Sequence, residues 1–387
     1  MAACLRARLW VRGFCPVAHS KEDDVKMDQT VPELDDAALE LPAAQPPSRL
    51  RKIVGWIFKV GLLGGIFGWL IYKKSIKVED LSELAQRWPW ALLALGLFVF
   101  SLFFVALRYQ LLLKALGMTT HYRDIVAVCT IGLLFDLISP VSSGGDLVKA
   151  FYVSRTSENA GGKKNRGLVL LSVLLDRIVG FFGLFMLGLI VCVLAWPQIG
   201  AHENLRHLAM FFAAVCAGSL MVFFILSSEK LEHSALRKRL MHKLPFHAKI
   251  EQVYAGFAGL RHHKMILLAM LGLSLLNHII ACVVILLLAQ GMQFPDVVTG
   301  ALKPLDIVPC LTILPLGFFI NTFGIAGGLG VGNAGFELLF EHVLGIKGGA
   351  RLILFYQIVS IVYRLLGIPV FFLYKHESRP TGAALEG

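Results

Sequence analysis

The stretch LVLLSVLLDRIVGFFGLFMLGLIVCVLAW, residues 168–196, decides the fold class. It is apolar or small almost throughout, with one acid, Asp176, and one base, Arg177. An α-helix rises about 1.5 Å per residue, so about 20 apolar residues cross a hydrocarbon core of about 30 Å. The stretch therefore predicts a membrane-spanning helix with two ionisable side chains about 14 Å from one of its ends.

Similar apolar runs recur along the 387 residues and predict an all-α polytopic membrane protein. Charged residues make up 16% of the chain, against about 25% in a soluble protein, so a sizeable soluble domain is excluded. We expect about eight membrane-embedded segments, at residues 53–72, 89–107, 125–140, 168–196, 208–226, 265–289, 305–323 and 352–374.

Outside these runs, residues 1–48 contain arginines followed by a block of acids, and we expect a disordered N-terminal tail there. An organellar presequence is the alternative, and no signal-peptide pattern is present. Residues 49–376 are expected to form the transmembrane domain and residues 377–387 a short C-terminal tail. The net charge of +11 comes from basic loops, without a nucleic-acid-binding pattern, so nucleic acid is excluded as a partner.

The charges of the loops predict how the segments are oriented. The most basic loop, 228–264, holds eight Lys and Arg residues and should be cytoplasmic, as should 155–167 and both termini. The linkers 196–207 and 290–303 hold one basic residue each and should lie outside. We expect the membrane to be a bacterial inner membrane.

Two segments are expected to be broken and re-entrant. Both flanks of segment 125–140 are basic, so it should end at a break and return as a half-helix at 143–153. Segment 305–323 contains two prolines and is followed by a glycine cluster and a short apolar stretch, 336–340. Broken backbone at membrane depth is tolerated only where protein or a water-filled cavity covers it.

Two motif pairs point to an inverted repeat. PVSSGGD at 140–146 precedes DRIVG at 176–180, and GGLGVG at 327–332 precedes YRLLG at 363–367. The spacing is 32 residues from Gly145 to Arg177 and 36 from Gly328 to Arg364. In transporters, inverted repeats place the substrate site near the midplane. The alternative is chance resemblance between glycine-rich segments.

The first candidate site is an anion site at the half-helix, formed by Gly144, Gly145, Asp146 and Lys149. A helix N-terminus attracts anions, and Lys149 adds a positive charge one turn later. The alternative is that Asp146 only caps the helix.

The second candidate site is a midplane polar path lined by Asp176, Arg177 and Arg364. Ionisable groups at this depth are costly, so they normally face an interior and have a partner. The alternative is that Asp176 only pairs with Arg364 or Arg177 to lock the two halves together.

The third candidate is the second-half glycine motif, Gly327, Gly328 and Gly330, with Asn333 and Glu337 behind it. These glycines permit a tight turn, although glycine is also common where helices pack closely.

The remaining polar residues are weaker candidates. Asn277 and His278 are one candidate for a proton-linked pair. The alternative is that His278 is a buried histidine whose hydrogen bonds are satisfied. Asp136 and Asp306 either line the broken helices or lie near an interface, and Arg108 is interpreted as a snorkelling anchor. Catalytic motifs and metal-ligand cysteine spacing are absent, so we expect no enzyme and no cofactor.

Four stretches resemble a known family: SPVSSGGDLVKAFYVSR, SVLLDRIVGFFGL, GGLGVGNAGFELLF and YRLLGIPVFF. They are similar to the characteristic motifs of the lysylphosphatidylglycerol synthase transmembrane family, also called the flippase-like domain. The resemblance covers about residues 53–374. In two-part members this unit precedes an aminoacyl transferase and is thought to move the modified lipid between leaflets. The resemblance implies a stand-alone member without the transferase. Asn333 stands where the family has a glutamate, and Glu337 is the candidate to replace it.

The sequence therefore predicts a lipid translocase for an anionic or headgroup-modified lipid. Its partners would be membrane lipids and a separate lipid-modifying enzyme. Two alternatives stay open, a proton-coupled transporter of a small solute and a membrane scaffold for a lipid-synthesis enzyme.

Overall fold

The structure is a computed structural model, and it describes residues 86–118, 120–138, 144–158, 166–200, 202–227, 263–324 and 328–377. The expected first segment, 53–72, lies outside the described residues, as do the N-terminal tail, Gly327 and most of the basic loop 228–264.

The described residues are almost entirely helical, as expected. The first half contains α1 (Trp88–Ala115), α2 (Tyr122–Ile138), α3 (Gly144–Glu158), α4 (Arg166–Leu194), the short α5 (Trp196–Ile199) and α6 (Glu203–Ser227). The second half contains α7 (Lys264–Ala289), β1 (Phe294–Pro295), β2 (Leu302–Lys303), α8 (Ile307–Asn321), α9 (Val331–Leu339), a π-helical turn (Phe340–Leu344), α10 (Gly349–Leu365) and α11 (Gly367–Glu377).

Within the described residues, five helical segments are long and apolar enough to cross a membrane. They are Trp88–Ala115, Val169–Leu194, Glu203–Val222, Lys264–Ala289 and Gly349–Tyr374, in agreement with the expected segments. The segments expected to be broken, α2 and α8, are shorter, at 17 and 15 residues. The all-α membrane class is therefore confirmed.

Helices α1 and α7 lie side by side and run in opposite directions. The guanidinium of Arg87, at the start of α1, donates to the carbonyls of Gln290 and Gly291, just after α7 ends. Near the other end of the pair, Arg108 of α1 donates to Ser274 of α7 over 3.2 Å. The chain therefore leaves these two helices at opposite ends of the bundle.

Each of these helices is followed by a helical hairpin. Hairpin 1, formed by α2 and α3, follows α1, and hairpin 2, formed by α8 and α9, follows α7. Because α1 and α7 are antiparallel, the two hairpins enter the bundle from opposite ends. This is the geometry of an inverted repeat.

The packing between the halves is reciprocal. The helix after hairpin 1 packs on hairpin 2, where the rings of Phe181 and Phe185 lie 5.6 and 5.1 Å from that of Phe319. After hairpin 2, α10 and α11 pack on α2 of hairpin 1, where the ring of Phe371 on α11 lies 5.9 Å from that of Phe135. In each half, therefore, helices that follow the hairpin pack on the hairpin of the other half.

The tips of the hairpins are built alike. Asp136, near the end of α2, accepts a 2.8 Å hydrogen bond from the backbone N–H of Gly145 on α3. Asn321, at the end of α8, lies against Gly332 on α9, with its amide oxygen where a side chain on Gly332 would be. An added methyl group on Gly145 would likewise collide with the carbonyl of Gly132. Both hairpins thus depend on glycine at their closest approach.

The contacts between the two helices of each hairpin also indicate which glycines correspond in the two halves. Asn321 lies against both Gly328 and Gly332, but only Gly332 lies, like Gly145, within the second helix of its hairpin, so Gly332 corresponds to Gly145. With this pairing, 32 residues separate Gly145 from Arg177 and also Gly332 from Arg364.

The described loops that the charge distribution assigned to the outside lie together at one end of the bundle. Lys347 donates its backbone N–H to Pro295 over 2.8 Å, and Asn204 donates to the carbonyl of His342 over 2.7 Å. In the same region, hydrogen bonds from Lys303 and from backbone amides lower the pKa of Asp296. The carboxylate of this turn is therefore ionised at neutral pH.

Single-cysteine labelling tests the orientation. We expect cysteines at positions 163 and 238 to react only from the cytoplasm and cysteines at 198, 296 and 347 only from outside, because loop charge sets orientation. The measurement is labelling by a membrane-impermeant maleimide on intact cells, in a chain whose Cys4 and Cys15 are replaced. The buried cysteines, of which Cys129 is one, serve as the unlabelled control. Labelling of 163 from outside, without labelling of 347, would contradict the predicted orientation.

Candidate functional site

Charged side chains from five helices gather in one region of the bundle. We name this group the charged cluster: Arg108, Asp136, Asp146, Lys149, Asp176, Arg177 and Arg364. It unites the anion site and the midplane path that the sequence treated as separate.

The half-helix α3 contributes Asp146 and Lys149. Asp146 forms an ion pair with the guanidinium Nε of Arg177 on α4, and its other oxygen lies 4.0 Å from the ammonium of Lys149, one turn along α3. The Asp146 carboxylate therefore bridges two positive charges.

The predicted anion-binding N–H groups are partly engaged by the protein itself. The N–H of Gly145 is donated to Asp136, so a carboxylate of the chain already occupies part of the N-terminus of α3. Gly144 is the first residue of α3 that the structure describes. Lys149 and Arg177, both partly exposed, lie next to Asp146 near this end of α3.

A second ion pair ties α1 to α4. A terminal nitrogen of Arg108 lies 3.0 Å from Asp176, and both side chains are largely buried. The interpretation of Arg108 as a snorkelling anchor is therefore wrong, because its guanidinium turns into the bundle and also donates to Ser274. The expectation that Asp176 pairs with Arg364 or Arg177 is also wrong, since the charge that balances it belongs to Arg108.

Tyr109 forms the apolar wall beside Lys149. Its ring is fully buried, and the Lys149 ammonium lies 5.5 Å from the ring centroid, within the range of a cation–π interaction. The phenol oxygen lies 3.2 Å from the hydroxyl of Ser172, which fixes the ring. The Lys149 ammonium therefore lies between a buried aromatic ring and the Asp146 carboxylate.

Arg364, on α10, lies on the other side of hairpin 1. Its Nε donates to Ser360 over 3.2 Å, and one buried terminal nitrogen has no hydrogen-bond partner among the described residues. It is close enough to Asp136 to interact with it electrostatically. Arg364 thus belongs to the charged cluster although it does not pair with Asp176.

Among the described residues, the charged cluster contains four basic and three acidic side chains, so the cations are in excess there. Charges attract more strongly in a low-dielectric interior than in water, so an anion entering the cluster would be bound by the excess charge.

The second-half motif forms a different structure. The side chain of Asn333 accepts from the N–H of Gly330 and donates to the carbonyl of Ala350, over 3.0 and 3.2 Å. Glu337 accepts from the N–H groups of Gly348 and Ala350, at the start of α10, over 3.3 and 2.8 Å. Both side chains are fully buried, and together they fasten α9 to α10. The acidic role that the family resemblance implies here, with Glu337 as its candidate, stays a prediction.

Gly328 and Gly330 support this motif through their backbone. Their φ angles are +113° and +84°, which L-residues with side chains rarely adopt, so they supply the tight turn that was expected.

The two hairpins therefore differ in charge although they share a design. Asn333 and Phe336 stand at the positions that correspond to Asp146 and Lys149, and Asn321 lies at the end of α8 as Asp136 lies near the end of α2. Among the described residues, hairpin 1 contributes Asp136, Asp146 and Lys149 to the charged cluster, whereas the buried acid of hairpin 2, Glu337, caps α10.

The weaker candidates have structural partners. His278 lies with Nε2 3.0 Å from the carbonyl of Gly180, and Asp306 caps α8 through the N–H of Val308. Among the described residues, no group of three or more His, Cys, Asp or Glu side chains could hold a metal ion.

Sequence reasoning missed Arg108, Tyr109 and Ser172 as members of the site. Arg108 gave a usable signal, because it is the one charge within the long apolar run between Trp88 and Leu113. The other two are ordinary residues in membrane helices and gave none.

Removing one partner of the buried ion pair should be costly. Asp176→Asn leaves Arg108 without a neutralising charge, and breaking a buried pair in this way costs about 3–5 kcal/mol. The double variant Asp176→Leu/Arg108→Met should recover most of this loss. Thermal unfolding of the purified protein in detergent measures both. A double variant no more stable than Asp176→Asn would contradict the assignment of this pair.

Glu337 should be needed for stability. Glu337→Leu leaves the buried N–H groups of Gly348 and Ala350 unsatisfied, at about 1–3 kcal/mol for each group. Glu337→Gln keeps one acceptor oxygen and should lose less. The same unfolding assay applies, with the exposed Glu203→Gln as control. Equal stability of Glu337→Leu and the parent would show that this cap is unimportant.

Comparisons with known proteins agree with this architecture. A family model described as the lysylphosphatidylglycerol synthase TM region matches residues 56–367. A UPF0104 membrane protein, MJ1595 of Methanocaldococcus jannaschii, is 28% identical over 125 residues, which are 32% of this chain and 35% of that protein. The match thus spans about a third of the relative's length, and no solved structure matches. This chain is an integral membrane protein and belongs to the lysylphosphatidylglycerol synthase transmembrane family.

Proposed function

We propose that this protein moves an anionic or headgroup-modified lipid between the two leaflets of its membrane. The observation that carries the proposal is the charged cluster, in which the described cations outnumber the described acids, on helices that also present exposed apolar side chains beside it. A lipid needs both features, a place for its charged headgroup and a surface for its chains.

The apolar surface adjoins the charged residues directly. Leu147 follows Asp146 on α3, and Ile178 follows Arg177 on α4, and both are exposed large hydrophobic residues. Phe151, one turn beyond Leu147, is exposed as well. A headgroup at the charged cluster could therefore keep its acyl chains against protein and bilayer while it crosses.

The charge excess favours an anion as the transported headgroup. Lys149 and Arg177 share one carboxylate, that of Asp146. A phosphate has the shape and charge to take up hydrogen bonds from a guanidinium and an ammonium together. The phosphate of a membrane lipid would compensate the charges that the protein leaves unbalanced.

The opposed hairpins supply a path between leaflets. Hairpins that enter from opposite ends bring two broken helices to the middle of the bundle. In transporters with inverted repeats, rocking of one repeat against the other opens the site alternately to each side. The same motion here would present the charged cluster first to one leaflet and then to the other.

The finer assignments belong to this proposal. The membrane is a bacterial inner membrane with both termini in the cytoplasm, the transmembrane domain covers residues 49–376, and the protein performs no chemistry of its own. A separate enzyme that modifies lipids would supply the cargo.

The two alternatives have less support. In a proton-coupled solute transporter, His278 would carry the proton, but its Nε2 is engaged with the carbonyl of Gly180. A scaffold has no need for a partly accessible cluster with excess positive charge. Proton-driven uptake of solute by vesicles, without lipid movement, would favour the first alternative.

Lys149→Gln tests the proposal. We expect at least about tenfold slower transfer of fluorescent phosphatidylglycerol, because the variant removes one charge from a site where charges are poorly screened. The measurement is reduction of the lipid by dithionite in vesicles that contain the purified protein.

Lys303→Gln is the matched control, because Lys303 is exposed and pairs with Asp296 outside the charged cluster. Its transfer rate should equal that of the parent. If Lys149→Gln moves phosphatidylglycerol as fast as the parent does, the headgroup does not use this site.

A further inference from the structure

The charged cluster contains two kinds of ion pair. Asp176 and Arg108 are 7% and 12% exposed, whereas Asp146 and Arg177 are 17% and 31% exposed. Lys149, the second cation beside Asp146, is 15% exposed. The first pair is closed off within the bundle, and the second can be reached from outside it.

The carboxylates also differ in how they are held. Asp136 accepts from a backbone N–H, and Asp176 faces a buried guanidinium. Asp146 contacts the side chains of two cations instead. Of the three carboxylates in the charged cluster, Asp146 is therefore the one whose described partners are side chains that can be reached from outside the bundle.

The second hairpin shows what the fold requires at this position. Asn333, the counterpart of Asp146, is a neutral amide whose side chain binds the backbone of its own hairpin and of α10. The same hairpin design therefore forms without a charge there. A negative charge at the position of Asp146 is therefore not a requirement of the hairpin design itself.

We propose that Asp146 is an internal counter-anion that holds the place of the lipid phosphate. In the lipid-free protein its carboxylate occupies Arg177 and Lys149, and an arriving anionic headgroup displaces it. This inference rests on the proposed function, and it makes Asp146 the residue that determines which headgroups can bind.

The exchange has a physical basis in charge balance. A carboxylate and a phosphodiester are both anionic acceptors for a guanidinium, so one can replace the other without leaving the cations bare. A net-anionic lipid brings the charge that is needed. A zwitterionic lipid also brings an ammonium, which Arg177 and Lys149 repel, so it competes poorly with Asp146.

Displacement would also loosen the bundle at this point. The pair between Asp146 and Arg177 links α3 to α4. When a phosphate takes over Arg177, this link is lost and hairpin 1 is free to shift relative to α4. Headgroup binding and movement of the hairpin are then coupled.

Asp146→Asn removes the competing charge and keeps the size of the side chain. We expect the full-length variant to bind phosphatidylglycerol about tenfold more tightly than the parent, with little change for phosphatidylcholine. The measurement is lipid binding to the detergent-purified protein by native mass spectrometry. Phosphatidylglycerol should also raise the melting temperature of the variant more than that of the parent, because a tighter ligand stabilises more.

Asp296→Asn is the matched control, since Asp296 pairs with a lysine outside the charged cluster, and its lipid affinity should stay at the parental value. In an Arg177→Gln background, Asp146→Asn should increase the affinity for phosphatidylglycerol by a smaller factor, because the cation that pairs with the Asp146 carboxylate is gone. This second comparison keeps the test decisive if Asp146→Asn alone folds poorly.

Unchanged or weaker phosphatidylglycerol binding by Asp146→Asn would overturn the proposal that Asp146 holds the place of the lipid phosphate. The proposed function fails in a different way. If the parent does not transfer phosphatidylglycerol while Asp146→Asn still binds it more tightly, the counter-anion stands as a binding device and translocation is wrong.

Discussion

Helices that begin or end in the middle of a membrane leave backbone N–H and C=O groups that lipid cannot satisfy, and this constraint shapes the whole bundle. Hairpin 1 meets it by bringing the Asp136 carboxylate to the N–H of Gly145. Around hairpin 2, Asn333 and Glu337 perform the same task for Gly330 and for the start of α10. The polar residues that look functional in the sequence are thus, in part, what makes broken helices possible.

Once carboxylates are placed at this depth, cations must follow, because an isolated charge in a low-dielectric interior is costly. Hairpin 1 and the helices beside it provide four cations, Arg108, Lys149, Arg177 and Arg364. Among the described residues of the charged cluster, these cations outnumber the three carboxylates. Around hairpin 2 the capping is done by two amides and one fully bonded carboxylate, so no further charge is needed. The excess charge that could attract a ligand therefore arises on one side of a symmetric design.

The inverted arrangement explains why the halves have become different without losing the fold. Reciprocal contacts, such as Phe319 on Phe185 and Phe371 on Phe135, involve apolar faces away from the hairpin tips. Replacement of Asp by Asn, or of Lys by Phe, at the tips leaves these faces intact. The scaffold and the charged cluster can consequently vary independently.

The sequence by itself determined the membrane class, the breaks and the involvement of Asp146, Lys149, Asp176 and Arg177. These features follow from local properties: apolar length, glycine pairs, and the cost of charge at a given depth along one helix. Only the tertiary structure decided the partners, pairing Asp176 with Arg108 and Arg177 with Asp146, and separating Glu337 from the charged cluster as a cap. The physical reason is that ion pairing depends on distances between helices far apart in the chain, and a single apolar run gives no information about which neighbour it will face.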